Sequence, residues 1–228
     1  MFIKETTNCA YILHPDILNR NKLPKGIFEN IKNNSLQKFN CPSVNNAKDK
    51  VFFVNSFINL EVEYGLRDNQ PYFNYTLDDK TSVINENMHN IVKDMLQVSY
   101  VNNIINIQLL SPYAFITDDA ELQITTTTPN MENENSIYVS GNLQPYNWIR
   151  NLNSAWTLKN NKKSGKLYFK LQDPFLNFVF NKNVNLQYIE PNTKIINYLN
   201  QNLHVVGIRK NLKQIYKNVA ERRPKKLL

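Results

Sequence analysis

Glycine is the first shortage: the chain has 5 in 228 residues, where roughly 7% is usual. With so few, it has no phosphate-cradling glycine loop and no GxSxG nucleophile elbow. The 2 cysteines, Cys9 and Cys41, allow at most one disulfide and form no CxxC pair. That excludes a disulfide scaffold and a thiolate zinc site, and it fits a reducing compartment. The 3 histidines leave little for a histidine-rich metal centre, and no cofactor motif is present, so no cofactor is expected. No apolar run approaches the ~18 residues a membrane span needs. Met1-Phe2-Ile3-Lys4-Glu5 lacks the basic start and apolar middle of a signal peptide. The expectation is an unsecreted protein with no membrane partner.

What is present favours folding. Hydrophobic residues make up 42% of the chain and aromatics 11%, with 12 Tyr and 12 Phe, enough apolar area to offset the ordering entropy of a core. Asparagine is heavily used, at 38 residues, and scattered. This reads as the imprint of an AT-rich coding sequence and carries no weight as a binding signal. Charge is distributed unevenly. Of 27 Lys+Arg and 19 Asp+Glu, the C-terminal segment holds Arg209, Lys210, Lys213, Lys217, Arg222, Arg223, Lys225 and Lys226 against Glu221 alone. Residues 1–208 are left nearly neutral, with 19 positives and 18 negatives, so the basic character belongs to a tail.

From Val51 to Tyr188 short apolar runs rich in Val, Ile, Phe, Tyr and Thr are bounded by Asn, Asp, Pro and Gly, the pattern of strands. The runs are Val51–Asn55, Ile58–Tyr64, Tyr72–Leu77, Ile104–Leu110, Leu122–Thr127, Ile137–Ser140, Trp156–Lys159, Lys166–Leu171, Phe175–Phe180 and Val184–Ile189. Leu167, Phe169 and Leu171 alternate with Lys166, Tyr168 and Lys170, as in a sheet buried on one side. Gln172-Asp173-Pro174 is expected to close a hairpin between this run and Phe175–Phe180. Helices are expected over Pro24–Asn33 and Asn85–Val98, and after Asn192-Thr193, which offers a cap. Ile208, Leu212, Ile215, Tyr216 and Val219 then form the apolar stripe of an amphipathic helix. Many short strands without helical crossovers imply a mainly β, antiparallel, jelly-roll-like sandwich. The domain reading is a sandwich over residues 1–190 with an N-terminal extension, and a basic helical segment over 191–228.

Within this frame, Ser111-Pro112-Tyr113-Ala114-Phe115-Ile116-Thr117-Asp118 is followed by Gly141-Asn142-Leu143, then by Trp148-Ile149-Arg150, then by the expected hairpin ending in Phe178-Val179-Phe180. With Phe39-Asn40-Cys41-Pro42-Ser43-Val44 and the basic C-terminus, these elements resemble an uncharacterised protein family of tailed phages of marine cyanobacteria and other marine bacteria. The resemblance implies a phage origin, a β-rich fold and residence in the host cytoplasm or the virion, and it carries no assigned activity. The order of a glycine strand, a return strand and a hairpin is also similar to the dUTPase-like fold. Where that family has a water-activating Asp shortly after its glycine, Gly141 is followed by Asn142, Leu143 and Gln144, so the activity does not carry over.

Candidate sites are few. His14-Pro15-Asp16 has the H-x-D spacing of a 2-His-1-carboxylate iron site, with His89 or His204 as third ligand, which would make an iron- and 2-oxoglutarate-type oxygenase on a jelly roll. The alternative makes Asp16 a helix-start acid before Ile17-Leu18. Asp118-Asp119 with Glu121, and Asp78-Asp79, are paired acids at strand ends, read as loop-tip residues. No catalytic set is assigned. Tyr146, Trp148, Arg150 and Trp156 gather aromatics and an arginine, the residues of binding hot spots, and form the candidate binding surface.

The basic C-terminal helix admits three readings: docked on the sandwich with its cations solvated, contacting nucleic acid phosphates non-specifically, or docking on a protein partner or a second copy. Arg222-Arg223-Pro224-Lys225-Lys226 is expected to be mobile unless bound, and removing Ala220–Leu228, which leaves the apolar stripe Ile208–Val219 in place, is expected to leave the fold intact. The functional expectation is a non-enzymatic binding or assembly protein.

Overall fold

Alternation dictates the strands. Leu60, Val62 and Tyr64 are buried while Glu61 and Glu63 between them stay accessible, because successive side chains of an extended chain point to opposite faces. The computed structural model describes residues 6–13, 31–33, 50–56, 59–77, 86–128, 132–147, 149, 151–159, 162–171, 173–203, 221, 223 and 228. In chain order the elements are β1 (Thr6–Leu13), β2 (Ile31–Asn33), β3 (Val51–Asn55), β4 (Leu60–Arg67), β5 (Gln70–Leu77), α1 (Glu86–Met95), β6 (Leu96–Val101), β7 (Ile104–Ile116), β8 (Ile124–Thr127), β9 (Glu132–Glu134), β10 (Ser136–Val139), β11 (Asn142–Leu143), β12 (Asn151–Leu158), β13 (Ser164–Phe169), β14 (Pro174–Phe180), β15 (Asn183–Tyr188) and α2 (Thr193–Leu203).

The fold is mainly β and antiparallel, as the pattern implies, and is consistent with a sandwich. A six-stranded sheet runs β10-β12-β7-β1-β15 with β6 also on β7, a five-stranded sheet runs β11-β8-β14-β3-β2, and a four-stranded sheet runs β5-β4-β13-β9. The β1–β15 pair is parallel. One apolar core joins all three sheets, through side chains such as Phe115 and Trp156 from the first, Phe52 and Phe178 from the second, and Val62 and Phe169 from the third.

The longest strand, β7, buries both faces at its C-terminal end. Tyr113 and Phe115 enter this core, whereas Ala114 and Ile116 pack with Ile12, Ile149, Ile195, Tyr198 and Leu228 in a second cluster on the far side. That second cluster seats α2, whose start is capped by Asn192: its Oδ1 accepts the Ile195 N–H at 3.0 Å. No helix among the described residues is long and apolar enough to cross a membrane.

Asparagine takes over work that glycine usually does. The β4–β5 hairpin turns on Asp68 (φ 52) and Asn69 (φ 60), and the β6–β7 hairpin on Asn102 (φ 53) and Asn103 (φ 62). Two consecutive left-handed residues define the tight turn that matches strand twist, and Asn tolerates that conformation better than other side chains. At Gly165 glycine solves a packing problem. A Cβ on Gly165 would lie 2.7 Å from Ser136 Oγ and 2.8 Å from Leu158 Cδ2, at the point where the four- and six-stranded sheets come together.

Four expectations need correction. The expected hairpin around Gln172-Asp173-Pro174 does not exist: β13 pairs with β4 and β9, and β14 with β3 and β8. The turn carries the chain from one sheet to another, because both strands have an apolar face that the common core must cover. The helix of Asn85–Val98 stops at Met95, and the chain continues at once into β6, where pairing with β7 supplies a ladder that overrides helical spacing. Ile31–Asn33, the end of the expected Pro24–Asn33 helix, is a strand on β3. Finally, Thr6–Leu13, where no strand was expected, lies inside the six-stranded sheet between β7 and β15.

Candidate functional site

Of the acids singled out above, Asp118, Asp119 and Glu121 sit on the loop between β7 and β8, and each is tied down. Asp119 accepts hydrogen bonds from Thr7 Oγ1 at 3.0 Å, from the Glu121 N–H at 2.8 Å, and from Lys182 Nζ at 2.9 and 3.2 Å. Lys182 also reaches Glu121 at 3.0 Å. Burial by itself raises the carboxyl pKa of Asp119, but these donors together hold it below its ordinary value, while the same contacts raise that of Lys182. A carboxylate so stabilised in its charged form is suited to bracing a loop and unsuited to trading protons near neutral pH. Among the described residues no group of three or more His, Cys, Asp or Glu is placed to hold a metal ion.

Asp118 grips the C-terminus. Arg223 donates through Nη2 to Asp118 Oδ1 at 3.0 Å and to the Thr117 carbonyl, and its guanidinium lies 4.5 Å from the centroid of the Tyr146 ring. The other carboxylate oxygen accepts the Leu228 N–H at 3.0 Å, and the Leu228 side chain joins the cluster under α2. Tyr198 completes the wall: burial raises its hydroxyl pKa, and the Arg223 cation partly offsets that. The Arg223 side chain is 1% exposed. For Arg223, the one described residue of 222–226, the expectation of a mobile, solvated side chain is corrected: Nη2 is shared between a carboxylate and a carbonyl beside an aromatic face, while Nε and Nη1 are buried without a hydrogen-bond partner among the described residues.

The expected aromatic surface is divided. Tyr146 is half-buried beneath Arg223. Trp156 is 1% exposed, with Tyr138 and Phe169 edge-on at ring-centroid distances of 5.6 and 5.7 Å. It is core and offers no binding surface, since its register opposite Ile107 turns it inward. Trp148 and Arg150 lie outside the described residues, as do His14, Asp16, Cys41, Asp78, Asp79 and His204, and the basic residues Arg209, Lys210, Lys213, Lys217, Arg222, Lys225 and Lys226. His89 is exposed on α1, its ring 5.9 Å from that of Tyr75. The other described cysteine chemistry is inert: Cys9 is free and buried, and burial pushes its thiol pKa well up.

A surface that the sequence reading missed is the outer face of the six-stranded sheet away from α2. Alternation sends Ile105, Ile107 and Leu109 into the core and leaves Ile104, Asn106, Gln108 and Leu110 on the outside. Register places Asn153, Ala155 and Thr157 beside them on β12, then Ile137 and Val139 on β10, and Gln97, Ser99 and Val101 on β6. None of these residues is charged. Val101 is 55% exposed, Ile104 51%, Ile137 49% and Val139 41%. Asn153 Nδ2 donates to Gln108 Oε1 at 3.0 Å across the face, so its amides are partly paired with each other. A signal was available: no Asp, Glu, Lys, Arg or His occurs from Leu96 to Thr117.

No family model, curated protein or solved structure matches the chain.

Proposed function

We propose that this chain works by binding, as an assembly or virion-associated component of a tailed phage. The observation that carries the reading is the uncharged outer face of the six-stranded sheet, where four aliphatic side chains stand 41–55% exposed. Aliphatic side chains exposed on one uncharged face, Val101 beside Ile104 on β6 and β7, and Ile137 with Val139 on β10, are costly to leave in water and mark interaction sites. The clustered acids support the same reading, since Asp118, Asp119 and Glu121 are engaged with Arg223 and Lys182. The phage attribution rests on the resemblance of Ser111–Tyr188 described above.

The test is recovery of the chain with purified phage particles or with a defined assembly partner, in wild type and in Ile137→Lys. Wild-type recovery that the substitution abolishes supports the reading. A chain absent from particles and always recovered alone overturns it.

A second reading, non-specific nucleic acid binding, is favoured by the confinement of excess charge to the C-terminal segment. Arg223 is spent on Asp118, so the cations available to phosphates exclude it. Each phosphate contact adds roughly 0.7–0.9 to the log–log salt slope. Charge reversal at Lys210, Lys213 and Lys217 therefore flattens that slope if the reading is right and leaves it unchanged if it is wrong.

A further inference from the structure

We infer that the uncharged face of the six-stranded sheet packs against the same face of a second copy of this chain. This rests on the binding reading above and names the partner.

Charge selects the occupant. Desolvating a charged side chain without a counter-charge is unfavourable, so a partner for this face must itself bring an uncharged surface. A second copy brings one by construction, and a two-fold axis matches the face to itself. The rest of the protein argues against the usual alternative of an acidic or basic partner, because neither has an opposite charge to meet on β6, β7, β10 or β12.

Geometry allows the contact. Sheet faces stack about 10 Å apart with interdigitated side chains, and four strands with about five residues each make a patch of roughly 19 by 17 Å. Two such patches present roughly 650 Å² of flat area, below the roughly 1,000 Å² of a stable specific interface and in the range of weak, transient contacts. The expected dimer is therefore reversible and concentration-dependent.

The sheet also lacks the devices that keep such surfaces apart. Its edge strand β10 reads Ser136-Ile137-Tyr138-Val139, with no lysine, no proline and no inward charge.

Sedimentation velocity with light scattering over a concentration series tests the inference on the full chain. The expected result is a mass rising from 26.7 kDa toward twice that value. Thr157→Lys or Ile104→Lys places like charges face to face across the axis and should weaken the dimer about tenfold or more. Thr76→Lys, on the outer face of the four-stranded sheet, should not. Ile104→Ser and Ile137→Ser remove aliphatic area without adding charge, so they read the same contact if a lysine variant fails to fold.

A dimer indifferent to the face substitutions overturns the assigned surface. A monomer at every concentration whose melting temperature is unchanged by Ile104→Lys overturns the second copy while leaving the binding reading to its own test. A monomer that Ile104→Lys destabilises means the chain's own segment covers the face, which overturns both.

Discussion

The outer faces of the six-stranded and four-stranded sheets are built from the same alternation and finished in opposite ways. On the four-stranded sheet the outward positions are Glu61 and Glu63 on β4, Lys166 and Tyr168 on β13, and Glu132 and Glu134 on β9. Lys166 meets Glu61 at 2.9 Å, Lys170 meets Glu132 at 2.6 Å, and Tyr72 donates to Glu63 at 2.8 Å. The corresponding positions on the six-stranded sheet carry amides, hydroxyls and aliphatics. A face laced with ion pairs is adequately solvated and repels an apolar partner. A face with four exposed aliphatics and no charge gains by being covered. The difference teaches that burial pattern specifies which side of a strand is core, and that only the chemistry of the other side says whether it is meant for water.

The largest effects should fall beneath both faces equally. Trp156→Ala under one sheet and Phe169→Ala under the other each remove a fully packed ring and should cost about 3–5 kcal/mol, measured by urea denaturation. Very different costs would show that the two sheets do not share one core.

The covered half of the six-stranded sheet comes next. Arg223→Ala removes the cation from Asp118, which keeps the Leu228 N–H, and loosens the seat of α2; breaking a buried pair costs about 3–5 kcal/mol, and with Asp118 26% exposed the lower end is expected. Deleting Ala220–Leu228 should do at least as much, reversing the expectation of a dispensable tail. An unshifted thermal melt for either variant would remove the clasp from the account.

Where the two sheets meet, Gly165→Ala forces a Cβ against Ser136 and Leu158 and should cost about 1–3 kcal/mol, whereas Gly141→Ala meets only Thr126 Oγ1 at 3.6 Å and should be mild by the same melt.

Acid should act on the loop that joins β7 to β8. The folded-state pKa of Asp119 is held below its ordinary 3.8. Its contribution is therefore present above the unfolded value and is lost as pH falls through the folded one. Asp119→Asn should make the stability curve shallower below about pH 4 and leave neutral pH little changed beyond the lost Lys182 pairing. An identical acid limb in both proteins would assign that limb to other carboxylates.

The smallest effect belongs to the charged face. Lys166→Met breaks an exposed pair and should change stability by less than about 1 kcal/mol, with the effect shrinking in high salt. A larger loss would mean that this face, too, is covered by something.

Much of the fold was readable in advance. Val51–Asn55 coincides with β3, and the cap at Asn192 and the apolar strands follow from side-chain periodicity and short-range hydrogen bonding, which a single segment carries within itself. The failures have a common cause. Lys166–Phe180 looked like a hairpin because a turn sequence between two strands does not say which neighbours the strands will choose. Leu96–Val98 looked helical until β7 offered a ladder. Trp156 looked like a binding residue because aromatics gathered with an arginine are the residues of binding hot spots, and composition does not say which face of a strand is inward.

By itself the sequence determined the fold class, the neutral body with its basic end, the charge-free run from Leu96 to Thr117, and the absence of glycine-loop and CxxC chemistry, all of which are local or additive properties of side chains. The tertiary structure alone decided that Arg223 is buried against Asp118, a residue 105 positions away, that Thr7 and Lys182 converge on Asp119, and that four separate strands align their uncharged sides into one face. Those outcomes depend on which distant segments pair, and pairing is settled by the shared core and not by any segment alone.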